Sequence, residues 1–182
     1  DGAYALTVKA TDAAGNISDA SSALNLTVDT TPPAAPTFTT TDTTTNETTP
    51  IIIGTAEAGS TVTLFVDGVT TGVTTTADGT TGAYTITPAQ LSDGAYALTV
   101  KATDAAGNTS SASSALSITV DTTAPAAPTF TTTDTTTNET TPIIIGTAEA
   151  GSTVELLNGD VSLGTTTADA TTGIFSITPS SE

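Results

Sequence analysis

Cysteine, methionine, tryptophan and histidine are absent from this chain of 182 residues, and its basic residues number two, Lys9 and Lys101. Each absence closes a class of function. Without cysteine there is no disulfide, the usual staple of a small secreted domain, so stability must come from packing, hydrogen bonds or bound ions. That alone does not decide the compartment. Without histidine or cysteine, neither a Ser–His–Asp nor a Cys–His arrangement can be assembled, and zinc sites of those ligands are excluded. The 19 acidic residues leave a net charge of −17. Such a chain offers nucleic acid no basic face and is repelled by an anionic membrane surface. No apolar run approaches the roughly 20 residues of a membrane span. No leader peptide is visible, though a window from inside a long chain would show none. Aromatic residues make up 4% and hydrophobic residues 36% of the chain, so each core is thin and an aromatic binding platform is lacking.

What is present is repetition. "DGAYALTVKATDAAGN" starts at Asp1 and again at Asp93; "APTFTTTDTTTNETTPIIIGTAEAGSTV" starts at Ala35 and at Ala127. These pairs are 92 positions apart, and later pairs such as "TTTAD" at Thr74 and Thr165 are 91 apart, so one residue is lost between Glu155 and Gly164. The period is too long for a solenoid turn and suits a small domain of roughly 100 residues.

The residues within the repeat read as strands. Thr, Val and Ile dominate, and β-branched side chains suit a pleated surface. Tyr96, Leu98, Val100 and Ala102 share one face of a run, with Thr99 and Lys101 on the other; Leu116, Ile118 and Val120 alternate with Ser117 and Thr119. Val62, Leu64 and Val66 do the same, with Phe65 out of pattern. No stripe has helical spacing. Ile51, Ile52 and Ile53 run together, so the buried face there is not legible. Asp67–Gly68 and Asn158–Gly159 read as hairpin dipeptides whose central positions favour positive φ. About seven strands per repeat follow, near Phe38, Ile52, Leu64, Val73, Ile86, Leu98 and Ile118, which predicts an all-β fold of tandem immunoglobulin-like antiparallel sandwiches in a rod-like array. Tyr96 stands where a tyrosine corner would lie; plain core is the alternative.

The expected domains are 1–29, the C-terminal half of a repeat; 30–121, a complete repeat; and 122–182, the N-terminal part of the next. Proline in the connectors "VDTTPPAAPTF" (28–38) and "VDTTAPAAPTF" (120–130) makes the joints short and stiff. "TPSSE" ends the chain where the complete repeat reads "TPAQL", so end joined to start would nearly rebuild a domain.

"GTAEAGSTVTLFVDG", "DGAYALTVKATDAAGNTS" and "VDTTAPAAPTF" resemble the bacterial immunoglobulin-like repeats of giant surface adhesins and biofilm-associated proteins. The resemblance covers essentially the whole chain. It implies an extender between a cell-anchored end and an adhesive tip, secreted to the cell surface or extracellular matrix, with neighbouring repeats as partners. Some members of that family bind calcium at the joints, which stiffens the rod.

Calcium takes six to eight oxygen ligands, the only strong kind of ligand this chain offers. In the expected topology, the loops holding Glu57, Asp78, Asp104 and Asn108 gather at the end where Asp29 arrives, with Asp1 facing the joint from the other side. Carboxylates gathered there repel one another unless a cation sits among them. The expected ligands are Asp29, Glu57 and Asp104 with Asn108, then Asp121 and Glu149 at the next joint, and Asp12 at the preceding one. The bland reading is that Asp–Gly and Gly–Asn are ordinary turns and that scattered acids confer solubility. Asp42, Asn46 and Glu47 read as a plain polar loop, and Lys9 and Lys101 as outward residues. Paired carboxylates could act as acid and base, but an active site repeated in every segment is not expected, and the chain is read as non-enzymatic. Two other functions stay open. One is a filament subunit whose half-repeats complete each other by strand addition. The other is a glycan- or host-protein-binding module, whose remoter variant is an accessory domain of a glycan enzyme.

Overall fold

The computed structural model describes residues 1–133 and 136–180, so the final two residues of "TPSSE" lie outside the described residues. The chain divides into two units, Asp1–Thr122 and Thr123–Glu182. Among the described residues all regular structure is strand, and no helix is long and apolar enough to cross a membrane.

In the first unit, β1 (Gly2–Leu6) and β2 (Leu24–Val28) form an isolated antiparallel pair whose residues are all exposed. Eight strands follow: β3 (Thr37–Phe38), β4 (Thr43–Thr45), β5 (Ile52–Thr55), β6 (Thr61–Val66), β7 (Val69–Thr76), β8 (Ala83–Ile86), β9 (Gly94–Thr103) and β10 (Leu116–Val120). They make a three-stranded sheet, β3-β5-β8, and a five-stranded sheet, β4-β10-β9-β6-β7. The inward positions of both sheets meet in one core: Ile52, Tyr84 and Ile86 from the smaller, and Val62, Leu64, Leu98, Val100, Leu116, Ile118 and Val120 from the larger. This is the expected sandwich, with one strand more than the alternation predicted.

The extra strand is β4. It lies in "TDTTTNET", read from the sequence as a polar loop, and it pairs in parallel with β10, Thr43 opposite Ile118 and Val120 opposite Thr45. Asp42 pins it there, its Oδ1 accepting the Ser117 N–H at 2.8 Å. The first strand of the sandwich is therefore divided: β3 serves one sheet and β4 the other. A run in which nearly every residue is polar shows no alternation, so hydrophobic periodicity is blind to it.

The structure also settles the isoleucine run. Ile52 points inward and is fully buried, while Ile51 and Ile53 are exposed. The next inward position is Gly54, and a Cβ there would overlap the Thr37 carbonyl and the Tyr84 hydroxyl. Tyr84 is 2% exposed and donates its hydroxyl to that carbonyl at 3.1 Å. At the β6–β7 turn, Asp67 and Gly68 have φ of 50° and 77°, the positive pair expected of a type I′ turn. Tyr96 does form the tyrosine corner: its hydroxyl donates to the Ser92 carbonyl at 3.0 Å. On the outer face, the Lys101 ammonium sits 5.4 Å from the centre of the Phe65 ring, which explains an aromatic residue out of pattern.

The second unit holds β11 (Thr129–Phe130), β12 (Ile144–Thr147), β13 (Thr153–Asn158), β14 (Val161–Thr167) and β15 (Ile174–Ile177). The sheet β11-β12-β15 repeats the register of β3-β5-β8, and β13–β14 repeats β6–β7. Its core is Val154, Ala168, Phe175 and Ile177. The hairpin differs from expectation. Asn158 pairs with Val161, so Gly159 and Asp160 are the central residues, and of the two only Gly159 has positive φ, at 61°. Glycine first is the pattern of a type II′ turn; the turn keeps its place at the end of β13 with its glycine one position earlier, and the lost residue comes out of β14, which has 7 residues against the 8 of β7.

Candidate functional site

The turn after β9 is built on Asp104. Its Oδ1 accepts the Ala106 N–H at 2.9 Å and the Asn108 N–H at 2.8 Å, and its Oδ2 accepts from Asn108 Nδ2 at 2.9 Å. A carboxylate followed by small residues favours such a turn because it supplies acceptors that the backbone otherwise lacks. Asn108 Nδ2 also donates to the backbone carbonyl of Asp29 at 3.0 Å. One side-chain amide thus ties the turn of the complete repeat to the chain leaving the preceding strand pair. The Asn108 amide holds the Asp104 carboxyl below its ordinary 3.8; desolvation opposes it, and the backbone donors of the turn each add a smaller lowering. The same turn stands at Asp12–Asn16, with contacts of 2.8–2.9 Å, and Asn16 likewise lowers Asp12.

The connector leaving β2 is fastened from both sides. Asp1 accepts the Thr30 N–H at 2.9 Å and the hydroxyls of Thr30 and Thr31 at 2.7 Å each. Asp29 Oδ1 accepts the Thr31 N–H at 3.0 Å. Pro33 and Pro36 are buried. At the end of β10, Asp93 receives Thr122 in the same way, at 3.0 Å from its N–H and 2.7 Å from its hydroxyl. Asp93 was not singled out in the sequence. Its signal was available: the "DG" and "VDTT" motifs recur with one period.

The remaining candidates take these places. Glu57 is exposed in the turn after β5, its carbonyl accepting from the Ser60 N–H and hydroxyl at 3.1 and 2.7 Å. It borders a shallow hollow with Ala34, Ala35 and Thr37. Glu149 borders the corresponding hollow of the second unit, beside Ala126 and Ala127. Asp121 donates its N–H to the Thr45 carbonyl at 2.9 Å, continuing the β4–β10 pairing. Asp78, and Asp169 in the second unit, hold turns of their own, each lowered from 3.8 by backbone and hydroxyl donors of Thr81 and Thr172 respectively. The structure therefore brings Asp29, Asp104 and Asn108 together, but through the Asp29 carbonyl oxygen and an amide. Among the described residues no three His, Cys, Asp or Glu side chains gather into a set that could hold a metal ion.

Residues 36–122 match the bacterial Ig-like domain family, bearing out the resemblance read from the motifs. The chain is 40% identical over 141 residues to exoglucanase B of Cellulomonas fimi, which is 69% of this chain and 12% of that protein. It is 38% identical over 131 residues to chitinase A1 of Niallia circulans, 63% of this chain and 17% of that one. The chain thus spans less than a fifth of either relative. Among solved structures it is similar to fibronectin(III)-like modules of Clostridium thermocellum CbhA, at 22% identity and a TM-score of 0.42, over 65% of this chain and 62% of that one. It is also similar to the BSP domain of a biofilm-associated protein, at 21% identity and a TM-score of 0.32, over 82% of this chain and 24% of that one.

Proposed function

We propose, from the premise that residues 36–122 are a bacterial Ig-like domain, that this chain is a non-catalytic spacer segment of a larger secreted or cell-surface protein. Its work is to set the separation and relative angle of what lies on either side. The observation that carries this reading is the Asn108 bridge to the Asp29 carbonyl, supported by the Asp1 clamp and the buried prolines of the connector. Each removes freedom from a joint that a flexible linker would leave loose. A long repetitive adhesin or biofilm-matrix protein is the setting we favour, because the unit is spelled twice with nearly constant spacing.

Calcium is proposed as a second fastener at the same joint. Asp29, Glu57 and Asp104 are hard-oxygen donors of the right type. Both Asp104 oxygens already accept hydrogen bonds from the turn, so an ion there would compete with the Asn108 amide. Small-angle X-ray scattering of the chain, with calcium and with excess chelator, tests both parts, alongside Asn108→Ala. The spacer reading expects Asn108→Ala to broaden the distance distribution of the monomer; an unchanged distribution would sink the bridge. Calcium is supported if chelation broadens the distribution too, and dropped if chelation changes nothing.

A second reading is favoured by the relatives that carry the names exoglucanase and chitinase: the same spacer would then sit within a glycan-degrading polypeptide. A neighbouring catalytic domain in the full-length polypeptide would select it.

A further inference from the structure

The acids of this chain stand at its turns, not on its sheets. Among the described residues, Glu155 is the one Asp or Glu that lies in a strand. It belongs to β13, so the sheets β3-β5-β8 and β11-β12-β15 hold no charged residue. The outward positions of the larger sheet are mostly threonine, serine and alanine, and the aromatic among them, Phe65, has the Lys101 ammonium over its ring.

The smaller sheet differs. Its central strand β5 holds Ile53, with Ile51 just before it, and they are 47% and 65% exposed. In the complete repeat β5 has a strand on either side, so this exposure owes nothing to a missing neighbour. The second unit repeats the feature at Ile143 and Ile145, 62% and 41% exposed, and adds Ile174 on β15. Ile53 stands among smaller side chains: it lies opposite Thr85, and Thr55 lies opposite Ala83 on one side and Thr37 on the other. The polar groups around it are already paired. The Thr37 and Thr55 hydroxyls share a hydrogen bond of 2.9 Å, and the Thr40 hydroxyl accepts the Ile53 N–H at 2.8 Å. Thr129 with Thr147 and Thr132 with Ile145 repeat both bonds, each at 2.8 Å. A face whose polar groups are satisfied from within loses little when water leaves it, and its isoleucines gain.

We propose that this face docks side by side against the same face of a second copy. The charge distribution selects that occupant. Two chains of net charge −17 repel each other, and the small sheet is where they can meet through apolar side chains without setting one carboxylate against another. The contact is like on like, hence isologous, the isoleucine ridge of one sheet lying beside the threonines and Ala83 of the other. Two or three isoleucines fall short of the roughly 20–30 residues a side of a stable interface, so one face holds a partner weakly. The sequence spells the face once per repeat, and a weak contact that recurs along an array gains by effective concentration. The spacer then also gathers neighbouring copies alongside one another.

Sedimentation equilibrium of the full 182-residue chain, over a wide concentration range at low and at moderate salt, tests this. The expected result is weak, reversible self-association that strengthens as salt screens the net charge. Ile53→Thr combined with Ile145→Thr keeps a β-branched side chain at two exposed strand positions, so the fold is retained, and association is expected to weaken by about tenfold or more. Val69 is exposed and lies in the other sheet, so Val69→Thr should leave association unchanged. A chain that stays monomeric throughout overturns the proposal, whether the face is bare or serves another polypeptide. So do oligomers undiminished by the paired substitution, an equal loss in Val69→Thr, and association that salt weakens. The spacer reading rests on the dimensions of the monomer, so the two can fail separately.

Discussion

Asn108 places one amide nitrogen between a carboxylate of its own turn and a carbonyl of the preceding segment, and this sets the pH response of the joint. Asp104 is lowered from 3.8 in the folded chain. A carboxyl depressed by folding contributes stability that is present above its unfolded pKa and lost as pH falls through the folded value. Asp12, Asp78 and Asp169 are lowered in the same sense. Thermal unfolding is therefore expected to stay flat through neutral pH, where no histidine titrates, and to weaken below pH 3.8. In Asn108→Ala the Asp104 titration, followed by NMR, should move up toward 3.8; an unmoved titration would show that the amide is not its main cause. Tyr84 works in the opposite direction. Burial pushes its hydroxyl up from 10.0 to about 12. The folded state keeps a proton that the unfolded chain releases, so stability is full below pH 10.0 and falls as pH rises toward 12. Tyr84→Phe should remove that alkaline loss and, at neutral pH, cost about 1 kcal/mol for the missing bond to Thr37. Phe175 already occupies the equivalent place in the second unit, so the ring is tolerated without its hydroxyl.

At the scale of the element, β5 depends on Gly54 and β4 on Asp42. Gly54→Ala would drive a methyl group into the Tyr84 ring and the Thr37 carbonyl. Denaturant unfolding is expected to show a loss of about 2–3 kcal/mol, typical of overpacking against backbone; a loss below about 0.5 kcal/mol would mean that the strand yields easily. Asp42→Ala leaves the Ser117 N–H without its acceptor. Hydrogen exchange should quicken along β4 and β10 while β5 and β8, in the other sheet, stay protected. Uniform quickening of both sheets would show that the strand pairing does not open by itself.

The whole molecule carries a net charge of −17. Self-repulsion of that size opposes the compact state and is screened by salt, so the thermal midpoint should rise between low and moderate ionic strength. The two units also differ in core. Twelve buried residues cluster in the first, against four among the described residues of the second. Limited proteolysis of the dilute chain should cut within Thr123–Ser180 first, leaving a resistant fragment that contains residues 30–121. Initial cuts inside β6 or β9 would contradict this ranking.

By itself the sequence determined the repeat, the all-β class, the inward faces of β6, β9 and β10, the Asp67–Gly68 hairpin and the acids of the turns. These are local: alternation, turn dipeptides and period are written along the chain, and a strand or turn shows its pattern without its neighbours. The tertiary structure alone decided the rest. Which isoleucine of three faces inward depends on the Tyr84 ring lying over Gly54. Whether "TDTTTNET" is strand or loop depends on β10 offering it an edge. The tyrosine corner needed the Tyr96 hydroxyl to reach the Ser92 carbonyl. At the joint, the chain order named Asp29, Asp104 and Asn108, but the contact runs through a backbone carbonyl. Every residue carries that group, so no side-chain pattern announces it.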